Sequence, residues 1–154
     1  MGFFYDSAKL GNSMGYSNLA YCLFNGDGVE RDQELAIGLF KRALQINPEN
    51  TYALSNLGFA YRLGKGVKKN ISRYIEMILT RIELGDIDAI NLIGILYDKG
   101  EFLPKNAQRS FQWTLKAAEF GHVLAQYNLA MCYQFGDGTE IDVQKAVQWF
   151  ESAG

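Results

Sequence analysis

The run Ala-Gln-Tyr-Asn-Leu-Ala-Met-Cys-Tyr-Gln-Phe-Gly-Asp-Gly at residues 125–138 carries a pattern that occurs three times earlier in the same chain. Its first glycine, Gly136, has counterparts at Gly26, Gly64 and Gly100, at successive intervals of 38, 36 and 36 residues. Three residues before each glycine stand Leu23, Tyr61, Tyr97 and Tyr133, and seven before stand Leu19, Leu57, Ile93 and Leu129. A small residue follows the latter in every copy: Ala20, Gly58, Gly94 and Ala130. Six residues past the glycines come Asp32, Asn70, Asn106 and Asp142. Self-similarity at this period marks a repeat protein, and the longer first interval falls at Asn47-Pro48-Glu49-Asn50, where a loop absorbs an insertion cheaply.

Each copy reads as two helices. Apolar and small residues between Gly15 and Asn25 recur on one face of a 3.6-residue period. Glycine then supplies the left-handed backbone that ends a helix without a Cβ clash. The Asp and Asn column offers side-chain oxygens to the free N–H groups of a second helix, which carries Ala36, Leu39, Phe40 and Ala43 in the first unit and Ala146, Trp149, Phe150 and Ala153 in the fourth. One hairpin cannot bury both of its apolar faces, so the units must stack into an α-solenoid.

Composition agrees with that reading and excludes others. The chain has 154 residues, 48% of them apolar and 21% charged, enough to bury a core. Its 16 glycines punctuate helices and have no collagen period. A net charge of −2 with a pI near 5.4 argues against a domain-wide nucleic-acid surface, so nucleic acid is not an expected partner. No stretch of 18 apolar residues spans a membrane. The start, Met1 to Asp6, has neither the basic flank nor the apolar run of a secretory signal, and Asp6 breaks the myristoylation pattern, which points to the cytoplasm.

The segment 125–138, followed by Asp142, Lys145-Ala146 and Trp149, resembles the Sel-one-like repeat of the tetratricopeptide-like superfamily. Ala36 to Pro48 is closer to a plain tetratricopeptide ending. The resemblance implies an all-α fold, a right-handed superhelix of antiparallel helix pairs, and a scaffold, adaptor or regulator that binds another protein or peptide rather than an enzyme. A toxin-neutralising immunity role is the alternative, and a carboxylate-based hydrolase a more distant one. Residues 3–11 match 113–121, so about nine helices are expected: an orphan second helix at 3–11, then repeats at 12–48, 49–85, 86–121 and an incomplete 122–154. Neither end has the polar face of a capping repeat, and Val143, Val147 and Phe150 are candidates for self-association through open repeat ends.

No pattern calls for a cofactor or metal. The Gly-Asp-Gly turns lack both the twelve-residue ligand spacing of a calcium loop and the Lys-Ser/Thr of a phosphate loop. Cys22 and Cys132 share a column and read as small buried hydrophobes without a disulfide framework, consistent with a reducing compartment. His122 stands at a helix start without a ligand partner at helical spacing, and Asp86, Asp88, Asp98 and Glu101 make no acid–base pair by proximity alone. The second unit departs from the repeat at Tyr74 and Arg81, bulky residues where the other units are small, which predicts a local splay of its second helix.

In the tetratricopeptide-like arrangement the first helices line the concave side. The resemblance therefore places the protein-binding face at Tyr21 and Phe24, at Tyr52, Phe59 and Arg62, at Asn91 and Asp98, and at Tyr127, Met131 and Gln134, with Ser17 among its neighbours. Aromatic and methionine side chains there suit protein recognition. A basic patch of Lys65, Lys68, Lys69 and Arg73 precedes an acidic stretch from Glu83 to Glu101, a dipolar pattern able to steer an oppositely charged partner.

Overall fold

The computed structural model describes the backbone from Gly2 to Gly154 and the side chains from Leu10 onward. All regular structure among these residues is helical. The chain divides into two compact units, Met1–Leu84 and Gly85–Gly154. Each is a pair of stacked helical hairpins, the building plan of α-solenoids.

The first unit holds α1 (Gly2–Asn25), α2 (Gln33–Ile46), α3 (Thr51–Leu63) and α4 (Ile71–Glu83). The second holds α5 (Ile87–Lys99), α6 (Ala107–Glu119), α7 (Val123–Phe135) and α8 (Val143–Ala153). The Asp/Asn column caps the second helix of every hairpin, as its chemistry predicts. Asp32, Asn70, Asn106 and Asp142 accept hydrogen bonds from the N–H groups of Leu35, Arg73, Arg109 and Lys145. Gly64, Gly100 and Gly136 close α3, α5 and α7 in the left-handed conformation.

Eight helices stand where about nine were expected, because the predicted orphan helix at 3–11 is continuous with the first helix of the next repeat. Elsewhere the junction between repeats is broken by Gly85 and Gly121, with φ of +83° and +92°, followed by the N-caps Asp86 and His122. Gly11 and Asn12 offer the same chemistry at the equivalent place, yet both remain helical. Glycine permits a left-handed turn without compelling one. The side chains of residues 3–9 lie outside the described residues.

Small residues set how the helices meet. In the first unit Ala20, Ala36, Phe40, Ala43, Leu57 and Ile78 are buried, and in the second Ala89, Ile93, Ala117, Leu129 and Ala130. Tyr74 is buried rather than displaced, its ring packed on the Gly58 face of α3 at a distance that would be an ordinary contact even for a Cβ, 3.6 Å. In two of the turns the second glycine, Gly66 or Gly138, seats one hairpin on its neighbour. A Cβ on Gly66 would stand 2.5 Å from the carbonyl oxygen of Gln33, and one on Gly138 would collide with that of Ala107. Phe102 occupies the same repeat position at φ +65°, in a region that costs a residue with a Cβ about 1–2 kcal/mol.

A polar latch ties α1 to α3. Asn50 accepts from the N–H of Ala53 as N-cap, while its amide donates to Ser13 at 2.9 Å and Ser17 at 3.3 Å. The Ser13 hydroxyl in turn donates to the carbonyl of Ala43 at 2.8 Å. Ser17, expected on the concave face, is instead fully buried in this network.

Candidate functional site

In the first unit, α1 and α3 bring four of the predicted contact residues into ring contact. Tyr21 and Tyr52 have centroids 5.9 Å apart, and Phe24 meets Phe59 edge-on at 6.4 Å. The pairs are layered: Phe24 is 7% exposed and supports Phe59, which is 45% exposed. Such a ring loses little conformational freedom on binding because it is already held. Burial pushes the Tyr52 hydroxyl above its usual pKa, with smaller contributions from Tyr21 and Cys22. The Arg62 guanidinium lies over the ring of Tyr74, 5.8 Å from its centroid. Lys65, Lys68, Lys69 and Arg73 are all exposed, and Arg73 reaches Glu76 at 3.6 Å.

In the second unit, Asp98, Tyr127 and Met131 line one groove of about 380 Å3 between α5 and α7, together with Ile95, Lys99, Asn128 and Cys132. Its remaining lining residues are Ser110 and Thr114 of α6 and Asp137 of the turn after α7. Tyr127 is 49% exposed and is steadied by an edge-on contact with Phe150 at 5.4 Å. Asn91 is 6% exposed, packed between helices where an accessible contact was expected, and its side-chain oxygen has no hydrogen-bond partner among the described residues. Gln134 is exposed but does not line the groove.

The groove's polar lining, Ser110 and Thr114, lies outside the expected contact residues. Thr114 takes the position that Phe40, Ile78 and Phe150 occupy in the other units, and Ser110 that of Ala36, Tyr74 and Ala146. A bulky apolar residue is thus replaced by a short hydroxylated one in a column where Phe40 and Ile78 are fully buried. The register alone contained this signal, as a departure from the repeat. Burial first, then the carboxylates of Asp137 and Asp98, push the Cys132 thiol up to about 11. Both cysteines are free and half-buried rather than fully enclosed as expected.

Two of the acidic residues considered for chemistry, Asp86 and Asp88, have other partners. Asp86 caps α5 through the N–H groups of Asp88 and Ala89. Asp88 meets His122, whose ring also caps α7 by accepting from the N–H of Ala125 at 3.1 Å. Among the described residues no three His, Cys, Asp or Glu side chains gather to hold a metal ion, and no helix is long and apolar enough to cross a membrane. On α8, Val143 and Val147 are exposed and Phe150 is half-buried.

The Sel1 repeat family model matches residues 13–46, 51–73, 87–122 and 123–154. Among solved structures, a Sel1 repeat protein from Oxalobacter formigenes is 32% identical with a TM-score of 0.80, over 92% of this chain and 57% of that one. A protective antigen of uropathogenic Escherichia coli with an SLR fold is 27% identical with a TM-score of 0.81, over 98% of this chain and 32% of that one. Cysteine-rich protein B of Helicobacter pylori shares the fold at 20% identity and a TM-score of 0.57, over 83% of this chain and 90% of that one. The chain thus spans little more than half of the first of these relatives and a third of the second. No protein of curated function matches it.

Proposed function

We propose, since this chain belongs to the Sel1 repeat family, that it is a non-enzymatic interaction module, a scaffold, adaptor or regulator that holds a protein or peptide partner. The fold generally serves protein–protein interaction. The observation that carries the reading is the layered aromatic face of α1 and α3, where half-exposed Tyr21 and Phe59 rest on Phe24 and Tyr52. Tyr127 and Met131 supply matching anchors in the second unit. Solvent-exposed rings held in place in this way are the usual energetic centres of a protein interface.

Affinity capture from native lysate tests the reading when the wild-type chain is compared with Phe59→Ala/Tyr127→Ala/Met131→Ala. A partner retained by the first and lost by the second, with helical circular dichroism unchanged, supports it; a partner retained by both overturns the site. The exposed lysines and Arg73 of the first unit act on encounter rate, so association is expected to slow as salt rises. Val143 and Val147 give α8 an apolar surface for self-association, which size-exclusion chromatography at rising concentration checks. The two free cysteines favour a reducing compartment, the cytoplasm, over an oxidising one.

A further inference from the structure

The groove of the second unit has a chemistry that the rest of the repeat array does not explain. We propose that it is a receptor for a single arginine side chain of the partner, an inference that rests on reading the exposed faces as contact surfaces. Its volume, about 380 Å3, lies near the small end of the range for ligand sites and suits one or two side chains rather than a folded element.

Three features select the occupant. Ser110 and Thr114 line the groove while only 7% and 6% exposed, and among the described residues neither hydroxyl has a hydrogen-bond partner. Their hydroxyls open onto the groove and are available to hydrogen-bond a ligand seated there. Asp98 and Asp137 line the same groove against the exposed Lys99, leaving a negative formal balance. The raised Cys132 thiol is an internal report of that sign, since both carboxylates oppose a thiolate there.

Arginine fits this set better than lysine. Its guanidinium has five fixed donors and is weakly hydrated, which suits acceptors spread over two carboxylates, two hydroxyls and the amide of Asn128. Ile95 and Met131 are apolar walls for the side-chain stem, and Tyr127 offers an aromatic face. The space itself arises from Thr114 standing where the other units carry Phe or Ile.

The test is a titration of the full chain with acetyl-Ala-Arg-Ala-amide, followed through the Met131 and Thr114 methyl resonances. Saturable shifts of both methyls are expected, with none from the peptide carrying isosteric uncharged citrulline. Asp98→Asn/Asp137→Asn, both exposed and outside the packed core, is expected to weaken the response by roughly tenfold or more. Thr114→Phe is expected to abolish it by filling the space; if that variant does not fold, the carboxylate pair carries the test. No saturable shift, an equal response to citrulline, an equal response to a lysine peptide, or full binding in the Asn double variant each overturns the assignment. Should the arginine peptide fail while Tyr127→Ala/Met131→Ala still releases a captured partner, the pocket assignment falls alone. If that substitution also leaves the partner bound, the broader contact reading fails with it.

Discussion

The imidazole of His122 joins two helices: its Nε2 lies 3.1 Å from Asp88 Oδ1 of α5 while its Nδ1 accepts the Ala125 N–H at the start of α7. Because Nδ1 is an acceptor, the ring proton sits on Nε2 and is donated to the carboxylate. His122→Ala is expected to cost about 1 kcal/mol through the lost cap. His122→Asn retains a capping oxygen and is expected to lose less than half of that. Urea denaturation of the two variants measures the difference, and nitrogen NMR of the imidazole checks the tautomer.

Turn glycines of one sequence type should respond unequally. Gly28 has open space around a hypothetical Cβ, whereas Gly66 and Gly138 face the backbone carbonyls of Gln33 and Ala107. Gly28→Ala is expected to cost about 1 kcal/mol from left-handed strain alone. Gly66→Ala and Gly138→Ala carry the same strain and also force the hairpins apart, so their melting temperatures should fall further. Equal losses at all three positions would show that the seating contact contributes nothing.

The Asn50 latch combines a helix cap with two buried hydrogen bonds. Asn50→Ala is expected to destabilise the first unit by about 3 kcal/mol, the sum of a typical cap and two typical net hydrogen bonds. Hydrogen exchange should quicken in the first turn of α3, and chemical denaturation gives the total.

Cys132 makes stability sensitive to alkali. Its thiol is pushed from 9.0 up to about 11 in the folded chain, so the unfolded chain ionises first as pH rises. The fold then holds more protons than the unfolded state, and stability falls between about pH 9 and pH 11. Below that window both states carry the neutral thiol and the effect vanishes. Cys132→Ser is expected to flatten the pH dependence of the melting temperature over that interval.

Much of this architecture was legible because repetition turns weak local signals into columns. Asp32, Asn70, Asn106 and Asp142 were readable as caps, and Gly64, Gly100 and Gly136 as helix ends, because backbone geometry fixes those residue types. The continuous α1 was not, since Gly11 is compatible with either a break or a helix. Burial at Phe24, Asn91 and Ser17 was equally hidden: a residue one step around a helix faces a neighbour instead of solvent, and register alone does not resolve that step. Asp98, Tyr127 and Met131 were anticipated as contact residues, whereas the hydroxyls beneath them are visible only when a departure at Thr114 is read as a gain rather than as drift.

Thr114 also sets two engineering goals against each other. Averaging the four units into an idealised repeat would replace it with the bulky apolar residue its column favours, and filling a cavity of this kind commonly raises stability by about 0.5–2 kcal/mol. The same change removes the polar recess between α5 and α7. An idealised version of this protein should therefore melt later and recognise less, with both effects traceable to one codon.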